Sequence, residues 1–409
     1  MTLRAGRPNA ALDTTRHPTL ALWSLSLAYF AMGTSAIALV GLIHDIAAAY
    51  AVSKPAIAAV VTLFALTFAV LAPLLQVAAG RLPRRTLLLA GLLTMAVASL
   101  WTALATSYAS LAAARVLLAL GSAAVGPVAS SLGAGLVPPE RQGRALAIVF
   151  SGMTFATVLG LPLATWAGAL LGWRWAFAGL AVASVLIALL VAVVVGDRRP
   201  APAVSLASFG QVLRHRAAAW AIAMAMCQMA AIFSLYALVA PFLEQRFGVE
   251  PRLLPLAFLL AGTFSVLGNL AVGRLGDRLG TSRTLALSTG SLLAAFLIVL
   301  LLPAHPAVGM AAFAVWSMLG MTFYAPQQKR LIELAPALRN LLLAMNASAL
   351  YVGMSMGAAA AAQAWLHVGA WSLPAVAATF VVAGMLAFRA SRRAERAGAG
   401  GLPAEARPL

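Results

Sequence analysis

The sequence predicts an all-α integral membrane protein of twelve transmembrane helices, arranged as two pseudo-symmetric six-helix halves. Three observations carry this fold class. Of the 409 residues, 63% are hydrophobic and only 9% are charged, where a soluble domain has about a quarter charged. The apolar residues fall in runs of the length that crosses a bilayer, about 20 residues per helix. Finally, features of the first half of the chain return in the same order in the second.

Composition also sets aside several function classes. The net charge of +18 comes from arginines in short clusters between apolar runs rather than along one amphipathic face, which marks topology and not a nucleic-acid surface. The lone cysteine, Cys227, forms no disulfide within the chain and no cysteine metal cluster. His17, His44, His215, His305 and His367 show no ligand spacing. No metal or cofactor is therefore expected, and no group of nucleophiles at depth suggests an enzyme.

Residues 1–18 form a polar tail with Arg4, Arg7 and Arg16. Apolar runs then place spans at 19–42, 55–79, 86–105, 109–136, 144–169 and 173–196, the first six-helix half. The longest polar stretch between spans, 197–216, is a central loop. Spans at 217–240, 253–273, 284–302, 307–326, 341–362 and 372–389 make the second half, and 390–409 is a second tail. Only Lys54, Arg174, Arg246 and Arg252 fall in loops opposite the termini, and only Arg115 lies within a span. By the positive-inside rule both termini are cytoplasmic.

Span 5 carries Gly152, Ala156, Gly160, Ala164 and Gly168 at every fourth position. That spacing puts small residues on one helix face, where another backbone can approach closely, and in lipid such packing drives association. Ordinary bundle packing remains the alternative on spacing alone. Pro162 removes an amide donor within the same stretch, so a bend is expected there. Span 11 answers with Ala349, Gly353, Gly357 and Ala361. The loop after span 2 begins GRLPRR at Gly80 and the one after span 8 GRLGDRLG at Gly273, and Gly121 with Pro127 in span 4 matches Gly320 with Pro326 in span 10. Duplicated halves imply a midplane cavity that faces either side by rocking one half against the other.

With these motifs the chain resembles the major facilitator superfamily over residues 19–389, specifically its twelve-helix bacterial drug, sugar and metabolite efflux permeases. Gly273 to Gly280 matches the loop motif of that superfamily, with Asp277 and Arg278. The first-half counterpart retains Arg81, Arg84 and Arg85. Leu111 to Gly121, with Arg115, resembles the fourth-helix motif, and Gly152 to Gly168 the fifth-helix motif associated with antiporters. The resemblance implies export of a small solute by alternating access in exchange for protons, in an inner membrane and as a monomer. It also implies cavity walls from spans 1, 4, 7 and 10. One departure matters: Ala36 stands where many relatives carry a membrane-embedded acid.

Polar and aromatic residues at mid-depth on the implied cavity walls are Tyr29, Thr34, Ser122, Gln228, Tyr236, Trp316 and Tyr324, with Arg115 as the one charge inside a span. For Arg115, a structural clamp and a gating or substrate contact stand level. Such an acid-free set suits an uncharged, zwitterionic or weakly amphiphilic solute. The resemblance implies that Asp277 faces the start of span 5, so a gate is expected there, with Glu140 pairing Arg81 or Arg84 and Glu333 pairing Arg278 or Arg283. Gly160, Pro162 and Gly168 would supply the close-packed bend. No Asp or Glu lies near the middle of a span; Asp45 and Glu244, at corresponding outer ends of spans 1 and 7, are the remaining candidates for a proton site, with interfacial capping as the plainer reading. A non-transporting receptor on the same fold is the rival to a transporter.

Overall fold

The computed structural model describes residues 18–78, 82–138, 141–196, 214–335 and 338–400. The tail, Arg81, Glu140 and most of the central loop lie outside the described residues. Twelve helices are long and apolar enough to cross a membrane. The first half consists of α1 (Pro18–Gly41), the short α2 (Ile43–Ala49), α3 (Lys54–Ala78), α4 (Arg84–Leu104), α5 (Tyr108–Gly135), α6 (Gln142–Phe155), α7 (Leu161–Leu171) and α8 (Trp173–Val194). The second comprises α9 (Arg216–Tyr236), α10 (Val239–Phe247), α11 (Leu254–Leu279), α12 (Thr281–Leu301), α13 (Pro306–Met321), α14 (Tyr324–Leu334), α15 (Arg339–His367) and α16 (Leu373–Gly400).

Backbone chemistry explains where the spans break. Between α6 and α7 lies a π-helical turn, Ala156–Gly160, in which the Leu161 amide reaches back to the Ala156 carbonyl. It sits just before Pro162, which has no amide to give, so the expected bend takes the form of a π-turn. The tenth span is interrupted between α13 and α14 for the same reason: Pro326 cannot donate to the Thr322 carbonyl. That carbonyl instead accepts from Ser288 Oγ at 3.2 Å, as membrane burial requires. At the last span the helix runs on to Gly400 rather than stopping near 389, because Arg330 at the end of α14 holds Ser391 and Glu395, both at 3.0 Å.

The small-residue stripe finds its partner in α1. A Cβ added at Gly152 would overlap the Ser26 carbonyl, one at Gly160 would strike Thr34 Oγ1, and one at Gly168 would meet Leu42. The second half repeats the device: Gly353 and Gly357 of α15 lie against the carbonyls of Met226 and Ala230 in α9. Both halves thus use a helix with small residues to bring two backbones together where lipid supplies no hydrophobic drive.

The halves meet chiefly through α3 against α15 and through the π-turn and α7 against α11, with α2 touching α10 at the end opposite the termini. Segment α6, nearer the termini, packs on α1, α5 and the π-turn of its own half. The contact of α2 with α10 therefore joins the two halves at the far end.

Candidate functional site

At mid-depth, aromatic side chains from both halves come together. Tyr29 of α1 donates to the Gly126 carbonyl at 2.8 Å, shares a 2.6 Å hydrogen bond with Ser130 Oγ, and meets Phe150 edge-on at 5.3 Å between ring centroids. Across the interface, Phe68 of α3 stacks on Tyr351 of α15 with centroids 3.8 Å apart. Tyr324, at the start of α14, is 37% exposed and lies within electrostatic reach of Tyr29 and Tyr351. Phe150 is also exposed. Five rings thus border the space between the halves, with hydroxyls as their polar groups.

Sequence reasoning placed Tyr29 and Tyr324 near this space but passed over Phe68, Phe150 and Tyr351. The signal for Tyr351 was present, since it is the one tyrosine in span 11 and stands two residues from Ala349 and Gly353, on the face turned away from the small-residue stripe. The other mid-span candidates turn elsewhere. Gln228 is fully buried and donates to Thr289 Oγ1 of α12 at 2.8 Å, behind the cavity wall. Trp316 and Tyr236 belong to an aromatic cluster with Phe313, whose centroid is 5.2 Å from that of Trp316. Thr34 is packed beneath Gly160, and Ser122 is fully buried within its half. Each is wall structure in this conformation, because helix rotation points it at a neighbouring helix.

Arg115 is completely buried and ties α5 to α1. Its two terminal nitrogens donate to the carbonyls of Ser35 and Ala36, each at 2.8 Å, and its guanidinium lies 5.1 Å from the centre of the Phe64 ring. The contact is a clamp onto the backbone at the very position where the expected acid is missing. Carbonyl dipoles and a π-face take the place of a carboxylate.

At the far end a charged latch joins the halves. Lys54 Nζ at the start of α3 lies 2.9 Å from Glu244 Oε2 of α10, with the two side chains 22% and 14% exposed. His44 Nδ1 of α2 is 3.8 Å from the same oxygen. Neighbouring Asp45 has its carboxyl pushed above the ordinary range, mainly by partial burial; His44 opposes the shift and Glu244 adds to it. The corresponding outer positions proposed for a proton thus converge at one cross-half contact.

At the terminal end one expected pairing differs. Glu333 Oε1 accepts from Thr281 Oγ1 at 3.0 Å and makes no ion pair with Arg278 or Arg283 among the described residues. The Thr281 hydroxyl at the start of α12 reaches it from the neighbouring helix, while Arg278 and Arg283 are exposed. Arg84 donates to the Ser131 carbonyl of α5 at 3.3 Å; its expected partner Glu140 lies outside the described residues. Asp277 lies on α11, close to its end.

A twelve-helix membrane bundle in two repeated halves, latched together at the end opposite the termini, is the architecture of a class of solute transporters. The sequence profile described as the Major Facilitator Superfamily matches residues 25–358. The inner membrane transport protein YdhP of Escherichia coli O157:H7 is 30% identical over 345 residues, 83% of this chain and 87% of that protein. A chloramphenicol resistance protein of Streptomyces lividans is 36% identical over 266 residues, covering 63% and 67%. In fold, the chain is similar to a bacterial homologue of the human lysosomal transporter Spinster, with a TM-score of 0.70 at 17% identity over 92% of this chain and 97% of that one. It is also similar to the peptide transporter POT, with a TM-score of 0.73 at 15% identity over 93% and 95%. The chain belongs to the Major Facilitator Superfamily, and so is a multi-pass membrane transporter rather than an enzyme.

Proposed function

We propose that this chain exports a small uncharged, zwitterionic or weakly amphiphilic organic solute across an inner membrane, by alternating access and in exchange for protons, with both termini cytoplasmic. The observation that carries the substrate class is the mid-depth cage of Tyr29, Phe68, Phe150, Tyr324 and Tyr351, which offers ring faces and hydroxyls. Among the described residues no carboxylate lies at that depth, so a dication has nothing there to neutralise it. Rings and hydroxyls suit a solute with an aromatic body and neutral hydrogen-bonding groups.

The Lys54–Glu244 latch across the far end fits the inward-facing member of an alternating pair. In the opposite state, Asp277 near the start of α6 would hold the cytoplasmic side shut through the partial positive charge of that helix end. Proton exchange would act through Glu244 and Asp45, since protonating Glu244 removes the charge that holds Lys54. The name of the Streptomyces relative makes chloramphenicol a natural first probe.

The test is uptake of chloramphenicol into inside-out vesicles, with and without a collapsed pH gradient. Gradient-driven accumulation lost in Glu244→Gln or Asp45→Asn, with substrate exchange retained, supports coupling through these acids. Equilibration that ignores the gradient would favour the second reading, an uncoupled facilitator, which the absence of a mid-depth acid supports. No substrate-dependent flux for any neutral aromatic probe would favour a receptor on the same fold.

A further inference from the structure

On the outer flank of the second half, at the end that carries the termini, an open pocket of about 580 Å³ lies where α12 begins, beside α14 and α16. Arg283, Lys329 and Arg392 line it, together with Thr281, Ser282 and Glu333. None of the three cations has a carboxylate within ion-pair distance among the described residues. Of the two nearby acids, Glu395 is held by Arg330 at 3.0 Å, while Glu333 lines the pocket and accepts from the Thr281 hydroxyl, keeping its charge. Arg330 also donates to Ser282 Oγ at 3.0 Å and so ties the first turn of α12, which lines the pocket, to α14.

The backbone adds to this positive field. Helix α12 is 21 residues long and starts from Gly280 with no side-chain cap, so its first amides and its positive dipole end are left for another acceptor. The pocket therefore presents three cations and uncapped amides against the single carboxylate of Glu333, a net positive field among the described residues.

The surroundings indicate the source of an anion for this field. One turn into the membrane from Arg283, Leu287 of α12 is exposed, and on α16 the exposed Val382 and Leu386 precede the exposed Arg389 and Arg393. An apolar outer face thus leads directly into a basic pocket at the membrane boundary. We propose that this pocket binds the phosphate of an anionic phospholipid in the leaflet on the side of the termini, with its acyl chains along the exposed faces of α12 and α16. Basic pockets between membrane helices recognise phospholipid headgroups through this combination of charge and apolar flank. The inference requires that the bundle sits in a bilayer and does not depend on the direction or substrate of transport.

The test is native mass spectrometry of the detergent-purified full chain incubated with phosphatidylglycerol, phosphatidylcholine or glycerol 3-phosphate. Phosphatidylglycerol is expected to be retained over phosphatidylcholine, with affinity falling about fivefold for each of Arg283→Gln, Lys329→Gln and Arg392→Gln. Arg283→Lys should keep most of the affinity, and Arg252→Gln at the far end should leave it unchanged. Lys329 is exposed, so Lys329→Gln keeps the comparison available if another variant fails to fold. Equal retention of the two lipids, or full retention of phosphatidylglycerol by the variants, would overturn the proposal. Glycerol 3-phosphate binding as tightly as the lipid would also overturn it, by making this a free-phosphate site.

Discussion

Neutralising Glu244 should unlock the far end of the transporter. The Lys54–Glu244 contact spans the two halves at 2.9 Å, with both side chains mostly buried. Exposed ion pairs contribute about 0.2–1 kcal/mol, whereas a hydrogen bond to a charged group in partly desolvated surroundings contributes about 1.5–3 kcal/mol. Glu244→Gln keeps the shape and one acceptor, so about 1–2 kcal/mol of the bias toward the closed far end should go. That is about a five- to thirtyfold fall in the ratio of closed to open molecules. Spin labels at Ala48 of α2 and Gln245 of α10, both exposed, in a Cys227→Ser background report the distance across the latch. Wild type should give a dominant short distance and Glu244→Gln a broader distribution with a longer component. The exchange Lys54→Glu with Glu244→Lys should recover much of the short population, as a coupled pair requires. A Glu244→Gln distribution that superimposes on wild type would refute the latch.

Three further outcomes follow from the geometry. Gly152→Ala should destabilise the detergent-solubilised protein by about 1–3 kcal/mol, because its Cβ would overlap the Ser26 backbone, while Gly179→Ala, with open space around it, should be neutral or slightly stabilising; equal melting temperatures for the two variants would show that α1 and α6 pack less closely. Tyr351→Ala removes the stack on Phe68, and loss of an aromatic pair contact of about 0.5–1.5 kcal/mol should weaken a neutral aromatic substrate about two- to tenfold in equilibrium binding. Asp45 has a raised native pKa, so its ionisation costs native stability above that value, and the cost vanishes below the ordinary 3.8. Asp45→Asn should therefore melt higher than wild type at pH 7.5, with the difference shrinking as pH falls toward 4; a constant difference across that range would contradict the shift.

Much of the architecture was legible because a membrane helix must satisfy its own backbone. Each span announces itself locally, as an apolar run of sufficient length, whatever it later packs against. The doubled stripes at Gly152–Gly168 and Ala349–Ala361 could be read the same way, since spacing along one helix fixes a face. Prolines signalled irregularity at Pro162 and Pro326. They did not say whether the chain would bulge into a π-turn or break, because that depends on which neighbour, such as Ser288, can take the orphaned carbonyl.

The site was less legible. Position in the sequence gives depth, through the rise of about 1.5 Å per residue, but not the direction in which a side chain points around its helix. Tyr29 and Gln228 are both polar residues at mid-span, yet one reaches Ser130 beside the cavity and the other Thr289 behind its wall. Lys54 and Glu244 are 190 residues apart, and no local pattern announces their contact. The sequence by itself determined twelve spans, their repeat in two halves and the absence of an acid at depth, since each follows from a local run of residues. Tertiary packing alone decided which faces turn inward, which halves' charges meet and which end carries the latch. These depend on the rotation and tilt of whole helices, which are set by contacts between residues far apart in the chain.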